Sequence, residues 1–179
     1  MAHTYRKLVA VLLGSLLSGC ASAPEAPLPT VASVDLARYM GTWYEIALLP
    51  NRFQARCSAL TQANYQLEGD RVRVTNRCLD VHGKAIEANG IAYAQPDSGN
   101  AKLRVSFFRP FYGNYWILAL DPDYQWVLIG EPQRKYAWIL ARSRQLDEPR
   151  INQLLDLAAT LGFDRQAFRR SPQKLAAGS

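Results

Sequence analysis

The stretch GTWYEI, residues 41–46, sets a glycine before two large aromatic residues and a single carboxylate. Apolar residues continue to Leu49, so the segment predicts a strand that begins at Gly41. Glycine weakens the interior of a strand, but at its start it allows the chain to enter from a turn without a side-chain clash. Glu45 shares strand parity with Trp43, so the carboxylate and the indole are expected on the same face of the sheet.

Two further strands are predicted at residues 57–67 and 71–78. Both segments alternate small or apolar side chains with mostly polar ones, which is typical of half-buried antiparallel strands. Placing Tyr65 opposite Val72 across the turn EGD puts Cys57 and Cys78 on one face, one diagonal step apart. The remaining strands are predicted at 84–94, 101–108, 114–121, 124–130 and 136–142, separated by turn sequences such as QPDSGN and DPD.

Eight strands joined in sequence by short turns predict an all-β fold, an eight-stranded antiparallel up-and-down β-barrel. The alternative is an open sandwich. One helix follows the strands, with Asp147 as its N-cap, Pro149 in its first turn and Gly162 as its stop. Apolar residues recur at helical spacing from Ile151 to Leu161, so this C-terminal α-helix is expected to pack outside the barrel.

The chain begins with a segment typical of an exported lipoprotein. Arg6 and Lys7 precede a short apolar run, and LSGC at residues 17–20 resembles the lipobox of bacterial lipoproteins. That resemblance implies cleavage before Cys20, acylation of its thiol and amine, and delivery to the cell outer membrane, because Ala21 follows the cysteine. The alternative is an ordinary signal peptide with an unrelated cysteine. We predict a signal peptide at 1–19, a flexible tether at 20–33, one domain at 34–170 and a disordered tail at 171–179.

Charge and cysteine content narrow the function classes. Without Arg6 and Lys7, the chain has 19 basic and 15 acidic residues. The basic residues are scattered along the sequence, so we expect no nucleic-acid partner. Cys57 and Cys78 remain in an oxidising context and predict a disulfide. The alternative is a catalytic or metal-binding pair with His82, but two cysteines and one histidine fall short of a zinc site. We predict no metal and no cofactor.

Three short motifs, in order, resemble those of the lipocalin family. They are Gly41-x-Trp43-Tyr44-Glu45, the LDPDY turn with Asp121 and Tyr124, and WILAR ending at Arg142. Leu120 stands where the family usually has threonine. RVSFFRPFYG, residues 104–113, is typical of the bacterial outer-membrane lipoprotein branch, which is related to apolipoprotein D.

The resemblance implies a calyx closed at one end by Trp43 under the guanidinium of Arg142, with Asp121 and Tyr124 organising a turn. It also implies a ligand site, because a tyrosine and an asparagine contact the ligand at the positions that match Tyr65 and Asn76. Strand parity places small residues on the inner face, which predicts a hollow interior. The predicted ligand-binding residues are Tyr65, Asn76, Val74, Ala63, Phe107 and Trp138. For Tyr65 and Asn76, a satisfied buried polar group is the alternative, and for Trp138 the alternative is a place in the barrel core.

The predicted function is non-enzymatic binding of a fatty acid or lysophospholipid for storage or transport in the cell envelope. One alternative is a lipid-modifying enzyme of the same fold, for which Glu45 is the candidate acid or base. The other is a structural lipoprotein without a ligand. The sequence leaves open whether two copies associate as a homodimer.

Overall fold

The computed structural model describes residues 27–174. Nine strands and two α-helices follow one another along these residues. Their bounds are β1 Gly41–Leu48, β2 Ala59–Glu68, β3 Arg71–Leu79, β4 Ala85–Ala94, β5 Lys102–Phe108, β6 Phe111–Leu120, β7 Trp126–Gly130, β8 Ala137–Ala141 and β9 Arg169–Arg170, with α1 Leu36–Tyr39 and α2 Glu148–Thr160. The predicted signal peptide, Cys20 and residues 175–179 lie outside the described residues.

Strands β1 to β8 form the predicted closed antiparallel barrel. Each strand pairs with the next along the chain, and β1 pairs with both β2 and β8, so the sheet has no free edge along the main barrel. The ninth strand, β9, adds two residues beside β1 and was not predicted. Because neighbours alternate in direction, the connections at 49–58, 80–84, 109–110 and 131–136 meet at one end, which we call the mouth. The opposite end is the closed end.

The register between β2 and β3 differs from the predicted one by two residues. Tyr65 lies opposite Val74, not Val72, because Gly69 and Asp70 form a two-residue turn that pairs Glu68 with Arg71. Gly69 has a φ of 64°, which suits glycine at such a turn. A shift of two residues keeps every side chain on its predicted face.

The disulfide between Cys57 and Cys78 is confirmed, with 5.5 Å between the two Cα atoms. It joins the β1–β2 connection to the end of β3, so it ties one of the four mouth connections to the wall of the barrel.

The C-terminal helix α2 packs outside the barrel, as predicted. The Asp147 carboxylate accepts a hydrogen bond from the Arg150 N–H, and a proline lies in the first turn. A bulge between Glu45 and Ala47 interrupts the alternation of β1, so that Ile46 and Ala47 both belong to the apolar cluster under the helix. The helix residues in this cluster are Ile151, Leu154, Leu155 and Ala158. None of the helices within residues 27–174 is long and apolar enough to cross a membrane.

Both predicted flexible segments include residues that the structure places against the barrel. Within the tether, Leu28 is buried and the Val31 N–H donates to the Ile117 carbonyl over 3.0 Å. Within the tail, the Ser171 N–H donates to the Ile46 carbonyl, and Pro172 accepts from the Leu60 N–H. β1 pairs with β2 only over residues 41–44, and the C-terminal segment covers the gap that opens beyond them.

Candidate ligand-binding site

Trp43 plugs the closed end of the barrel. Its side chain is fully buried, and its indole N–H donates to the Tyr39 carbonyl over 2.8 Å. The guanidinium carbon of Arg142 lies 4.0 Å from the centroid of the indole. The same guanidinium donates to the carbonyls of Thr42 and Arg38, at 3.0 and 2.7 Å. The stacked cation therefore links the start of β1 to α1 and the end of β8.

A second set of contacts organises the neighbouring turn between β6 and β7. The Asp121 carboxylate accepts from the Asp123 and Gln125 N–H groups, both at 3.2 Å. Tyr124, at a φ of 59°, accepts at its hydroxyl from the Asp35 N–H over 2.9 Å. The structure thus places Asp121 within its own turn and Tyr124 under the N-cap of α1, close to Trp43 and Arg142.

Three tyrosine hydroxyls meet above this plug. The Tyr115 hydroxyl is 2.7 Å from that of Tyr39 and 2.9 Å from that of Tyr65. Burial raises the pKa of Tyr65 to about 12 and raises the pKa values of Tyr39 and Tyr115 above their ordinary range, so all three are neutral phenols. The half of the barrel next to the closed end, which we call the lower half, is filled by these rings and by apolar side chains. The apolar side chains are Val72, Val74, Leu103, Ile117, Val127, Ile129 and Leu140.

The half of the barrel next to the mouth, which we call the upper half, is open. Gly113 lies opposite Val105 on the inner face, is exposed, and a Cβ added there would meet no atom within 4 Å. Ala88 also faces inward and is exposed. From Tyr115 to the mouth at Phe111 is four residues, so with the usual strand tilt the open half is about 10 Å deep. The hollow expected along the whole interior is therefore limited to the mouth half.

The predicted ligand-binding residues occupy three levels of the barrel. Tyr65 lies in the tyrosine floor, and Ala63 and Val74 are inward and buried close to it. Asn76 lies between Ala63 and Ala88 on neighbouring strands, and its buried Oδ1 has no hydrogen-bond partner within residues 27–174. Above them, the Phe107 ring lies against Gly90 and is 43% exposed. Trp138 is half-buried on β8.

A polar cluster that the sequence did not reveal surrounds Glu45. One carboxylate oxygen accepts from the Gln54 amide over 2.6 Å, and the other accepts from the Ser171 hydroxyl over 2.5 Å. Gln54 in turn accepts from the Trp138 indole N–H over 2.7 Å. Burial raises the pKa of Glu45, although both hydrogen bonds oppose the shift. Only the parity of Glu45 with Trp43 signalled its burial; nothing local pointed to its distant partners.

This arrangement gives the buried carboxylate of Glu45 a structural role. Both oxygens are engaged by donors, one from the β1–β2 connection and one from the C-terminal segment. Gln173 adds hydrogen bonds to the carbonyls of Glu45 and Thr61, both at 2.8 Å. The cluster thus fastens the C-terminal segment into the gap between β1 and β2.

Comparisons with known proteins agree with this architecture. A family model described as a lipocalin-like domain matches residues 34–173. The chain is 41% identical over 155 residues to temperature-induced lipocalin-1 of Arabidopsis thaliana, covering 82% of this chain and 83% of that one. It is 36% identical over 165 residues to the outer membrane lipoprotein Blc of Escherichia coli K12, covering 90% and 93%.

More distant relatives extend the same relationship. Apolipoprotein D of Cavia porcellus is 34% identical over 181 residues, covering 91% of this chain and 94% of that one. Among solved structures, insecticyanin from the tobacco hornworm Manduca sexta superposes with a TM-score of 0.66 at 23% identity, covering 86% of each chain, a likeness of fold alone. The family model spans the whole barrel together with its plug, and the chain belongs to the lipocalin family.

Proposed function

We propose that this lipocalin binds a single small hydrophobic molecule, a fatty acid or a lysophospholipid, in the open upper half of its barrel. The observation that carries the proposal is the empty space in front of Gly113, above a floor of neutral tyrosines. Apolar space of this kind favours an apolar guest, since each buried methylene contributes about 0.8 kcal/mol. That gain is reduced by the cost of ordering a flexible chain.

Asn76 supplies a polar contact inside this space. Its Oδ1 is buried and lacks a donor within the described chain, so a hydroxyl of the ligand would satisfy it once the side chain rotates toward the open space. A carboxylate would instead need the amide side of the same residue, which is also able to donate. Either contact would hold a polar group at mid-height and leave the acyl chain against Ala88 and Phe107.

We further propose that the chain acts at the cell outer membrane, held by acyl groups on Cys20. The lipobox at residues 17–20 supports this location, and so does the similarity to outer membrane lipoprotein Blc. Storage or transport of lipids in the envelope fits both the anchor and the open calyx. Metabolic labelling with a radioactive fatty acid tests the anchor: Cys20→Ser should abolish the label, and a label that persists would place the modification elsewhere.

Filling the open space tests the ligand site directly. Gly113→Phe projects a ring into the lumen, and Gly113 has no positive φ that would strain a side chain. We expect it to weaken the displacement of a fluorescent fatty acid at least tenfold. Asn114→Phe is the matched control, because Asn114 lies on the same strand but faces outward, opposite Arg104.

Two results would contradict the proposal. One is fatty-acid binding by Gly113→Phe that matches the wild type, since the ligand would then lie elsewhere. The other is failure of the wild-type protein to take up any fatty acid or lysophospholipid, and to carry one in native mass spectra after purification.

A further inference from the structure

Large exposed hydrophobic side chains are concentrated at the mouth. Within residues 27–174 there are six of them, and five lie at this end of the barrel. They are Phe53, Val81, Phe107, Phe108 and Phe111, which we call the apolar rim. The sixth, Leu67, lies at the closed end and is 47% exposed. Single exposed hydrophobic residues are ordinary on protein surfaces, but a cluster of them marks an interaction site.

The apolar rim comes from three separate connections. Phe53 belongs to the β1–β2 connection and is 67% exposed, and Val81 belongs to the β3–β4 connection and is 76% exposed. Phe108 and Phe111 flank the β5–β6 turn with their rings stacked, 6.2 Å apart, and 74% and 70% exposed. The four phenylalanines together expose on the order of 500 Å². Exposed apolar area of this size at one end of a chain often marks a functional surface.

The charges at the mouth are mostly positive. The exposed cations of its four connections are Arg52, Arg56, Lys84, Arg109 and Lys135. The two acidic residues there bind their own turns. Asp80 accepts from the His82 and Lys84 N–H groups, and the buried Glu131 accepts from three backbone N–H groups of its connection. Exposed aromatic rings surrounded by basic side chains are the composition that binds the interface of an anionic bilayer.

We propose that the mouth docks onto an anionic lipid bilayer, with the apolar rim inserted among the headgroups, so that lipid passes between membrane and calyx without crossing water. The proposal rests on the proposed function for the passage of lipid, whereas the docking itself rests on the rim and its cations. A second copy is a poorer occupant, because two mouths placed face to face would bring like charges together. The shallow lumen agrees, since about 10 Å cannot enclose a long acyl chain.

The proposed anchor is long enough to allow this orientation. Val31 is hydrogen-bonded to Ile117, six residues along β6 from the mouth at Phe111, or roughly 20 Å along the strand. Leu28 is already buried against the barrel, so the free part of the tether runs over the eight peptide units from Cys20 to Leu28, which span at most about 29 Å. Acyl groups on Cys20 and the apolar rim can therefore reach the same bilayer.

Vesicle sedimentation tests the docking without the anchor. Residues 20–179, exported with an ordinary cleavable leader and carrying Cys20→Ser, would be mixed with phosphatidylcholine vesicles that contain or lack phosphatidylglycerol. We expect sedimentation with the anionic vesicles that weakens with added salt and falls at least tenfold in Phe108→Ser/Phe111→Ser. Leu67→Ser is the matched control, with a comparable side chain removed from the opposite end, and should sediment like the starting protein.

The same variants separate this inference from the proposed function. Uptake of octanoate, which is short enough for a lumen about 10 Å deep, should be unchanged in Phe108→Ser/Phe111→Ser in vesicle-free buffer, because both rings are exposed at the rim. Loss of sedimentation with uptake intact supports docking by the rim. No sedimentation of the starting protein, an equal loss in Leu67→Ser, or a dimer that the two serines dissolve would overturn the inference. Sedimentation without any fatty-acid uptake would support the docking and refute the lipid-binding function.

Discussion

Replacing Arg142 with leucine should destabilise the barrel far more than the same replacement of Arg144. Both guanidinium groups lie over an aromatic ring, Arg142 at 4.0 Å from the centroid of Trp43 and Arg144 at 4.4 Å from that of Tyr44. The difference lies in what surrounds each pair. Trp43 is fully buried and Arg142 is half-buried at the closed end. Tyr44 is only half-buried, and Arg144 is exposed on the outer surface.

The magnitude follows from the contacts of Arg142. The cation–π contact contributes about 1 kcal/mol at a partly exposed site. Each hydrogen bond to the carbonyls of Thr42 and Arg38 adds about 1 kcal/mol, since leucine leaves both acceptors without this donor. Arg142→Leu should therefore lower the free energy of unfolding by about 3 kcal/mol, which corresponds to roughly 10 °C in Tm for a domain of this size. Arg144→Leu should cost about 0.5 kcal/mol or less.

Urea unfolding followed by far-ultraviolet circular dichroism measures both variants against the wild type. The slope of the free energy of unfolding against urea concentration should be the same in all variants, because the same surface is exposed on unfolding. The loss of unfolding free energy in Arg142→Lys should lie between those of Arg142→Leu and Arg144→Leu. An ammonium group keeps the charge but lacks the planar guanidinium that reaches two carbonyls. If Arg142→Leu costs no more than Arg144→Leu, the stacked cation does not hold the closed end together and the argument for the plug fails.

Two further predictions concern the mouth half. Burial raises the pKa of Glu45 in the folded barrel, so the folded state binds more protons than the unfolded chain, and stability falls as pH rises from about 4.5 through the raised value. Glu45→Gln should therefore gain stability relative to wild type at neutral pH but not below pH 4.5; a difference that is the same at both pH values in urea unfolding would contradict this. Cys57→Ala/Cys78→Ala opens a loop with a sequence separation of 21 and should lose about 3 kcal/mol in the same assay. A loss under about 1 kcal/mol would show that the mouth holds its shape without the disulfide.

Local patterns were sufficient for the strands and their faces, but not for every register. The alternation from Val72 to Cys78 assigns each residue to a face, and the two-residue error at Tyr65 left those faces unchanged. A bulge has no such local signature. Regular alternation from Trp43 and Glu45 would place Ala47 on the inner face, yet the bulge turns it outward, where it pairs with Ile139 in the apolar cluster under α2.

The candidate site was predictable only in part. Strand parity placed Ala63, Val74 and Asn76 inward, as the structure has them, because parity depends on the strand alone. It could not show that Tyr39, Tyr65 and Tyr115 meet and fill the lower lumen, since these residues come from α1, β2 and β6. The expected void was too deep for that reason.

The amino-acid sequence by itself determined the eight strands, the outer helix and the disulfide, whereas the pairing of Trp43 with Arg142 was implied by the resemblance to the lipocalin family. The strands and the helix depend on hydrophobic period and on turn residues, which are local signals, and the disulfide follows from the two cysteines left in an oxidising context. Only the tertiary structure decided how deep the lumen is, what holds Glu45 and which side chains share the mouth. Those features join residues far apart in sequence, such as Phe53 and Phe111, and barrel closure alone sets their distances.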